Sequence, residues 1–194
     1  MMKKIDNQKE TTMKFVKFAL VGIVLAISTS SFAISGYKDF EFGMDINKAK
    51  EIYKCKWSKE NYKLLDIIAG YYTCDKYKFN GKHTDITLVY SPDKKLVRVV
   101  IDVPSDMAKD VLKGLKDKYV LTSTPPDEAF KEISPKTLIT YGFNNGDVSF
   151  QIYIDEDLKD NYKIMYTDTP TTKKLSEYHN NKRIKQESQL KNDI

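Results

Sequence analysis

The feature that most constrains the fold is an alternating run that leads into a turn only a tight hairpin requires. Tyr71-Tyr-Thr-Cys-Asp-Lys-Tyr-Lys-Phe79 alternates with period two, Asn80-Gly81 follows, and Thr84-Asp-Ile-Thr-Leu-Val-Tyr90 resumes the β-rich pattern. Asn-Gly suits a two-residue hairpin because both central residues must accept positive φ, which Asn tolerates and Gly adopts freely. Ser91-Pro92-Asp93 supplies the next turn, and residues 96–103, rich in Val and Ile, form a third strand. The spacing predicts a three-stranded antiparallel meander.

Helical periods frame these strands. Asp45 is placed to cap a short helix in which Ile46, Ala49, Ile52 and Tyr53 share a face, with Lys48, Lys50 and Lys54 on the wet side. Residues 56–70 read equally as strand or loop, with Trp57 as their buried anchor. Pro104 ends the third strand, and Ser105 is expected to cap a second helix whose apolar stripe is Ala108, Val111, Leu112, Leu115 and Tyr119. After Thr122-Ser-Thr-Pro-Pro126, one helical turn is expected over 127–132, then strands at 137–143, 148–154 and 162–166. A polar helix then runs from Thr172 towards Leu190, with Leu175 and Tyr178 as its apolar points. The order is helix and three strands, twice over, with a tail helix. That is an α+β class: antiparallel sheet built from two αβββ halves, followed by a C-terminal polar helix.

The segment from Lys14 to Ala33 says where such a chain works. A basic start, an unbroken apolar run from Phe18 to Ile27 and the exit Ser31-Phe32-Ala33 read as a secretory signal peptide cleaved after Ala33. A membrane anchor would need about 20 mostly apolar residues, and Ser28-Thr29-Ser30-Ser31 interrupt this run at about half that length. Met13 offers an alternative start with a compact basic opening. The expected organisation is therefore a signal peptide at 1–33, one α+β domain at 34–170 with halves 34–103 and 104–170, and a polar helical tail at 171–194. The expected compartment is the periplasm, with membrane contact only through the signal peptide before cleavage. Residues 1–33 carry five lysines against Asp6 and Glu10, so their removal lowers the formal charge of +5 by three, to near neutrality. A near-neutral exported domain gives no support to a nucleic-acid partner.

Cys55 and Cys74 are the chain's two cysteines. An even pair in an oxidising compartment reads as a disulfide. The spacing is not Cys-x-x-Cys, and the Cys and His content is too sparse for a zinc site. Catalytic signatures are absent: there is no Gly-x-Ser-x-Gly elbow, His-Glu-x-x-His helix, phosphate-cradling Gly loop or Ser-x-x-Lys motif. His83 reads as a strand-end residue and His179 as part of the polar tail. Asp155, Asp157 and Asp160 lack the Gly and closing Glu of a calcium loop and read as a solvated turn. No catalytic residue, cofactor or metal is expected.

The stretch 48–82 interleaves lysines with Trp57, Tyr62, Tyr71, Tyr72 and Tyr77. Aromatics serve sheets and lysines protect their edges, which accounts for the stretch on structural grounds. It is also the best candidate for a contact surface, formed by Lys54, Trp57, Tyr71, Lys76, Tyr77, Lys78 and Lys82, and suited to a periplasmic or envelope protein or an anionic envelope component.

Phe40-Glu-Phe-Gly-Met-Asp-Ile-Asn-Lys-Ala49 resembles the opening motif of many small exported bacterial proteins. Over those ten residues it is similar to the outer-membrane-assembly lipoproteins of the BamE/SmpA type, in which the motif starts a small α+β domain. No Cys follows the apolar run of the leader, so the lipid anchor of that family is not implied, and no functional residue is carried over. In physical terms, Gly43 lets the chain turn from strand into a helix capped by Asp45. The functional expectation is an exported, non-enzymatic binding or interaction module. The alternatives are a small envelope hydrolase with paired carboxylates and an inhibitor or immunity-type protein that binds a secreted enzyme.

Overall fold

The computed structural model describes residues 34–60, 70–131 and 134–192. The signal peptide expected over 1–33 therefore lies outside the described residues. So does Tyr62. The chain enters as a two-residue hairpin, β1 (Gly36–Tyr37) and β2 (Phe40–Glu41). Gly43 then turns the backbone at φ 84, its N–H donating to the Leu96 carbonyl at 2.8 Å. Helix α1 (Ile46–Ile52) starts under Asp45, whose carboxylate accepts from the N–H groups of Asn47 and Lys48. That is the cap expected from the sequence.

Strands β3 (Ser58–Glu60), β4 (Gly70–Phe79), β5 (Lys82–Tyr90) and β6 (Leu96–Val103) follow as an antiparallel meander. Asn80 and Gly81 turn the β4–β5 hairpin at φ 46 and 87. Helix α2 (Ala108–Lys118) leads into β7 (Leu121–Ser123), β8 (Leu138–Phe143), β9 (Val148–Ile154) and β10 (Asp160–Thr167). A polar helix, α3 (Thr169–Asn192), closes the chain. The two halves meet where β6 pairs antiparallel with β10, giving one eight-stranded sheet in the order β3-β4-β5-β6-β10-β9-β8-β7. The class is α+β, as expected.

Three differences from the sequence reading have physical causes. Among the described residues each half contributes four strands to this sheet rather than three, because β3 and β7 are three-residue edge strands, exposed, with no alternation to betray them. Ser105 does not cap α2; it opens a 3₁₀ turn, Ser105–Met107, in which Met107 N–H bonds the Pro104 carbonyl at 2.9 Å. Backbone geometry set by Pro104 replaces a side-chain cap there. Helix α3 begins before Pro170, which sits in the first turn where its missing N–H costs nothing. Asp168 accepts from Thr171 N–H at 3.2 Å at that end.

Register puts one row of side chains across six strands: Cys74, Ile86, Ile101, Ile164, Phe150 and Tyr141 are successive partners. The order of strands reads the same from either end, so the row is approximately two-fold symmetric about the Ile101–Ile164 pair. All of it faces one side. The core is built on that side, with Ala49 of α1, Ala108 and Leu115 of α2, and Phe40 and Met44 of the opening segment. Tyr37 reaches Tyr166 with ring centroids 4.7 Å apart, so the opening hairpin lies over the middle of the sheet. Val89, Val100 and Met165 point to the other side and are not part of this core.

Cys55, just after α1, is joined to Cys74 on β4, with Cα atoms 6.0 Å apart and a sequence separation of 19. The bond fastens the α1 segment to the sheet. A closed loop of this size constrains the unfolded chain by about 3 kcal/mol. Urea unfolding of the Cys55→Ala, Cys74→Ala double variant should show that loss as a lower midpoint, with a slope somewhat steeper than wild type because the freed unfolded chain exposes more surface. On the sheet, Ile101→Ala should cost ~2–5 kcal/mol, because it empties a fully buried site. Val100→Ala, one residue away on the opposite face, should cost well under that.

Candidate functional site

The face away from the core carries a second row that crosses all eight strands. Ser58, Thr73, Thr87, Val100, Met165, Ser149, Gly142 and Ser123 are successive register partners. Small and hydroxyl side chains dominate, and the two larger apolar groups, Val100 and Met165, meet at the β6–β10 junction. The Thr73 and Thr87 hydroxyls are 3.0 Å apart. Antiparallel sheets commonly leave one face to water, which asks of that face only that it alternate with the core side. Here the centre is apolar and half-buried, while the rim is charged.

On one flank the partners are Tyr71, Val89, Arg98 and Thr167. Arg98 donates from Nε to Thr167 Oγ1 at 3.2 Å and has no ion pair among the described residues. Burial pulls its pKa down from the ordinary guanidinium value. Tyr71 donates its hydroxyl to Glu60 at the sheet edge. On the other flank Lys163 Nζ sits 2.9 Å from Asp102 Oδ1, both half-exposed. Asp85 stands beside that pair. Desolvation raises its pKa first, then the like charges of Asp102 and Asp75, with Lys163 opposing them.

The surface expected from the 48–82 stretch divides. Tyr77 is 3% exposed and belongs to the core, its ring centroid 5.0 Å from that of Tyr53. Trp57 is half-buried on the same side, edge-on to Phe40, and donates Nε1–H to the Tyr53 carbonyl at 3.2 Å. Tyr71 lies on the opposite face. Lys54, Lys76, Lys78 and Lys82 are exposed, and Lys82 pairs with Asp106. The cause is a register shift between Cys74 and Tyr77, which flips the alternation and sends Tyr77 inward. Tyr53 holds this bulge, donating to the Lys76 carbonyl at 3.1 Å and accepting from Lys78 N–H at 3.0 Å. The basic and aromatic groups thus do not form one surface.

The other candidates serve local structure. Asp155 accepts from the N–H groups of Asp157 and Lys159 at 2.9 Å, and these bonds hold its carboxyl below the ordinary range. His83 is exposed, with Nδ1 3.2 Å from the Lys76 carbonyl. The side chain of His179 lies outside the described residues. Among the described residues there is no cluster of three or more potential metal ligands, and no helix long and apolar enough to cross a membrane. Arg98, Val100 and Met165 were not singled out from sequence. Their signal is visible only once β6 and β10 are known to be neighbours.

Comparison with known proteins finds relatives of this chain by sequence. A family model described as "Uncharacterised protein" matches residues 37–191. The chain belongs to that family. Its match starts in β1 and ends within α3, so the family covers both halves of the sheet and the polar helix. An uncharacterised protein of Haemophilus influenzae is 26% identical over 164 residues, covering 84% of this chain and 93% of that protein. An uncharacterised protein of Pasteurella multocida is 29% identical over 93 residues, 44% of this chain and 46% of that one. No solved structure matches the chain.

The crowding at Asp85 has a stability consequence with a definite sign. A carboxyl whose folded pKa is raised binds more protons folded than unfolded, so stability falls as pH rises from the ordinary carboxylate range through the raised value. Asp85→Asn should therefore stabilise the protein at pH 7. That advantage should shrink to nothing below the ordinary Asp pKa, when urea midpoints of the two proteins are compared at pH 7 and in acid.

Proposed function

We propose that this chain is an exported, non-catalytic binding module that receives a protein partner on the open face of its sheet. The observation that carries this reading is the apolar pair Val100 and Met165 at the centre of that face, flanked by Arg98 with Thr167 and by Asp102 with Lys163. Interfaces have this anatomy, an apolar centre inside a polar rim, with Arg and Met enriched at the contact. Size is adequate. Eight strands at about 4.8 Å spacing span roughly 34 Å, which with strand lengths near 20 Å matches the ~800 Å² each partner commits to a standard interface.

Export is supported by the leader pattern of residues 14–33 and by the single disulfide, which persists in oxidising compartments. The partner is then a periplasmic or envelope protein. A secreted enzyme held by an inhibitor or immunity-type module is one form of that reading. Arg98, largely buried and without a carboxylate of its own, is suited to a partner's Asp or Glu. Asp85 and Asp102 stand on open sheet surface, which suits charge pairing at a rim better than acid–base chemistry in a water-excluded site.

Affinity capture from envelope extract tests this with four proteins: wild type, Met165→Glu, Arg98→Ala, and the Lys76→Ala, Lys78→Ala pair. A protein captured by wild type and by the lysine variant, and lost with Met165→Glu and Arg98→Ala, is the expected result. Capture that survives both open-face changes and fails with the lysine changes would move the contact to the β4 edge.

A further inference from the structure

A separate cleft lies on the core side, at the β3 edge of the sheet, and does not depend on the open-face reading. Ile46 at the start of α1, Lys59 of β3, Gly70 and Tyr72 of β4, Tyr90 at the end of β5 and Lys94 of the following turn surround a cavity of about 100 Å³. Three observations set it apart from a packing gap. Its inner walls are two tyrosine rings in edge-to-face contact, Tyr72 and Tyr90, with centroids 5.6 Å apart. Tyr90 is 3% exposed, yet its hydroxyl has no hydrogen-bond partner among the described residues. Buried polar groups are almost always paired, because an orphan costs more than a typical bond gains. The third observation is the mouth: Lys59 and Lys94 line it, and Lys50 lies over the Tyr72 ring with Nζ 5.4 Å from the centroid. None of these three lysines has an ion pair among the described residues. Asp45, whose charge reaches Tyr90, is already committed to the N–H groups of Asn47 and Lys48.

Each feature specifies part of a ligand. A cavity this small admits one ring or a short branched chain and no more. The aromatic walls select an apolar group. The unpaired ammonium groups at the mouth select a negative charge, and the orphan hydroxyl donates to an acceptor the free protein lacks. We infer that the cleft formed by Tyr72, Tyr90, Lys59 and Lys94 is a binding site for a carboxylate that carries a single apolar ring or short branched chain. That chemistry has two sources, a free small acid or the C-terminal residue of a polypeptide. In both, the apolar group lies against the tyrosine rings and Ile46, and the carboxylate is shared by the lysines and the Tyr90 hydroxyl.

Phenylacetate, the neutral 2-phenylethanol and the tripeptide Gly-Gly-Phe are the probes, titrated against the purified protein while the tyrosine ring and Ile46 methyl NMR signals are followed. Phenylacetate should give saturable shifts at Tyr72, Tyr90 and Ile46, and 2-phenylethanol should bind about tenfold more weakly or worse. The Lys59→Gln, Lys94→Gln variant, altered only at exposed positions, should lose the same factor for the acid and nothing for the alcohol. Tighter binding of the tripeptide would mark a chain terminus as the source, and its exclusion would mark a free acid. Tyr90→Phe separates ligand binding from folding: it should weaken the acid while leaving the melting temperature of the free protein unchanged or raised, because the lost hydroxyl had no partner. Equal binding of acid and alcohol, no shifts up to about 50 mM of either carboxylate, or a lower melting temperature for free Tyr90→Phe would each overturn the inference.

Discussion

The pairing of β6 with β10 is the interaction on which the rest of the structure depends. Each half alone is a four-stranded meander whose last strand, β6 or β10, would present an unpaired edge. Antiparallel pairing from Tyr162↔Val103 to Thr167↔Arg98 removes both edges at once and leaves only the short strands β3 and β7 exposed. It also sets Ile101 opposite Ile164, completing the apolar row on which the helices and the opening hairpin rest. The same ladder creates the surface proposed for binding, since Val100 and Met165 are the next pair along it and point the other way.

Fastenings at the periphery serve this sheet. The Cys55–Cys74 bond holds the α1 segment against β4, and Tyr53 reaches across the β4 bulge to both Lys76 and Lys78. Gly43 and Met44 bond on either side of Leu96, so the opening hairpin is tied to the first residue of β6. These bonds cluster on the first half. In the second half, cation–π contact of Lys116 with Tyr141 and the Asn144 contacts with Val120 secure α2 and β7.

Much of the fold was legible wherever the physics is local. Asp45 as a cap, Asn80-Gly81 as a hairpin, the β6 run and the Ala108–Leu115 stripe all follow from rules spanning a few residues, and each stands where it was expected. The edge strands were hidden because three exposed residues make no pattern. The division of the surface expected over 48–82 was hidden for a different reason. Tyr77 sits in an alternating run, but the bulge after Cys74 changes its side, and a bulge leaves no mark in composition. Arg98, Val100 and Met165 come together only through pairing between strands more than sixty residues apart. The Tyr72–Tyr90 cleft likewise joins α1, three strands and a turn.

Native-state hydrogen exchange measures the coupling of the two halves directly. If the β6–β10 ladder unites them, amides of Val99, Ile101, Ile164 and Tyr166 should be among the slowest to exchange, opening only with global unfolding and sharing one urea dependence across both halves. Faster exchange at those positions than within the β4–β5 and β8–β9 hairpins, or separate urea dependences for the two halves, would contradict a single cooperative sheet.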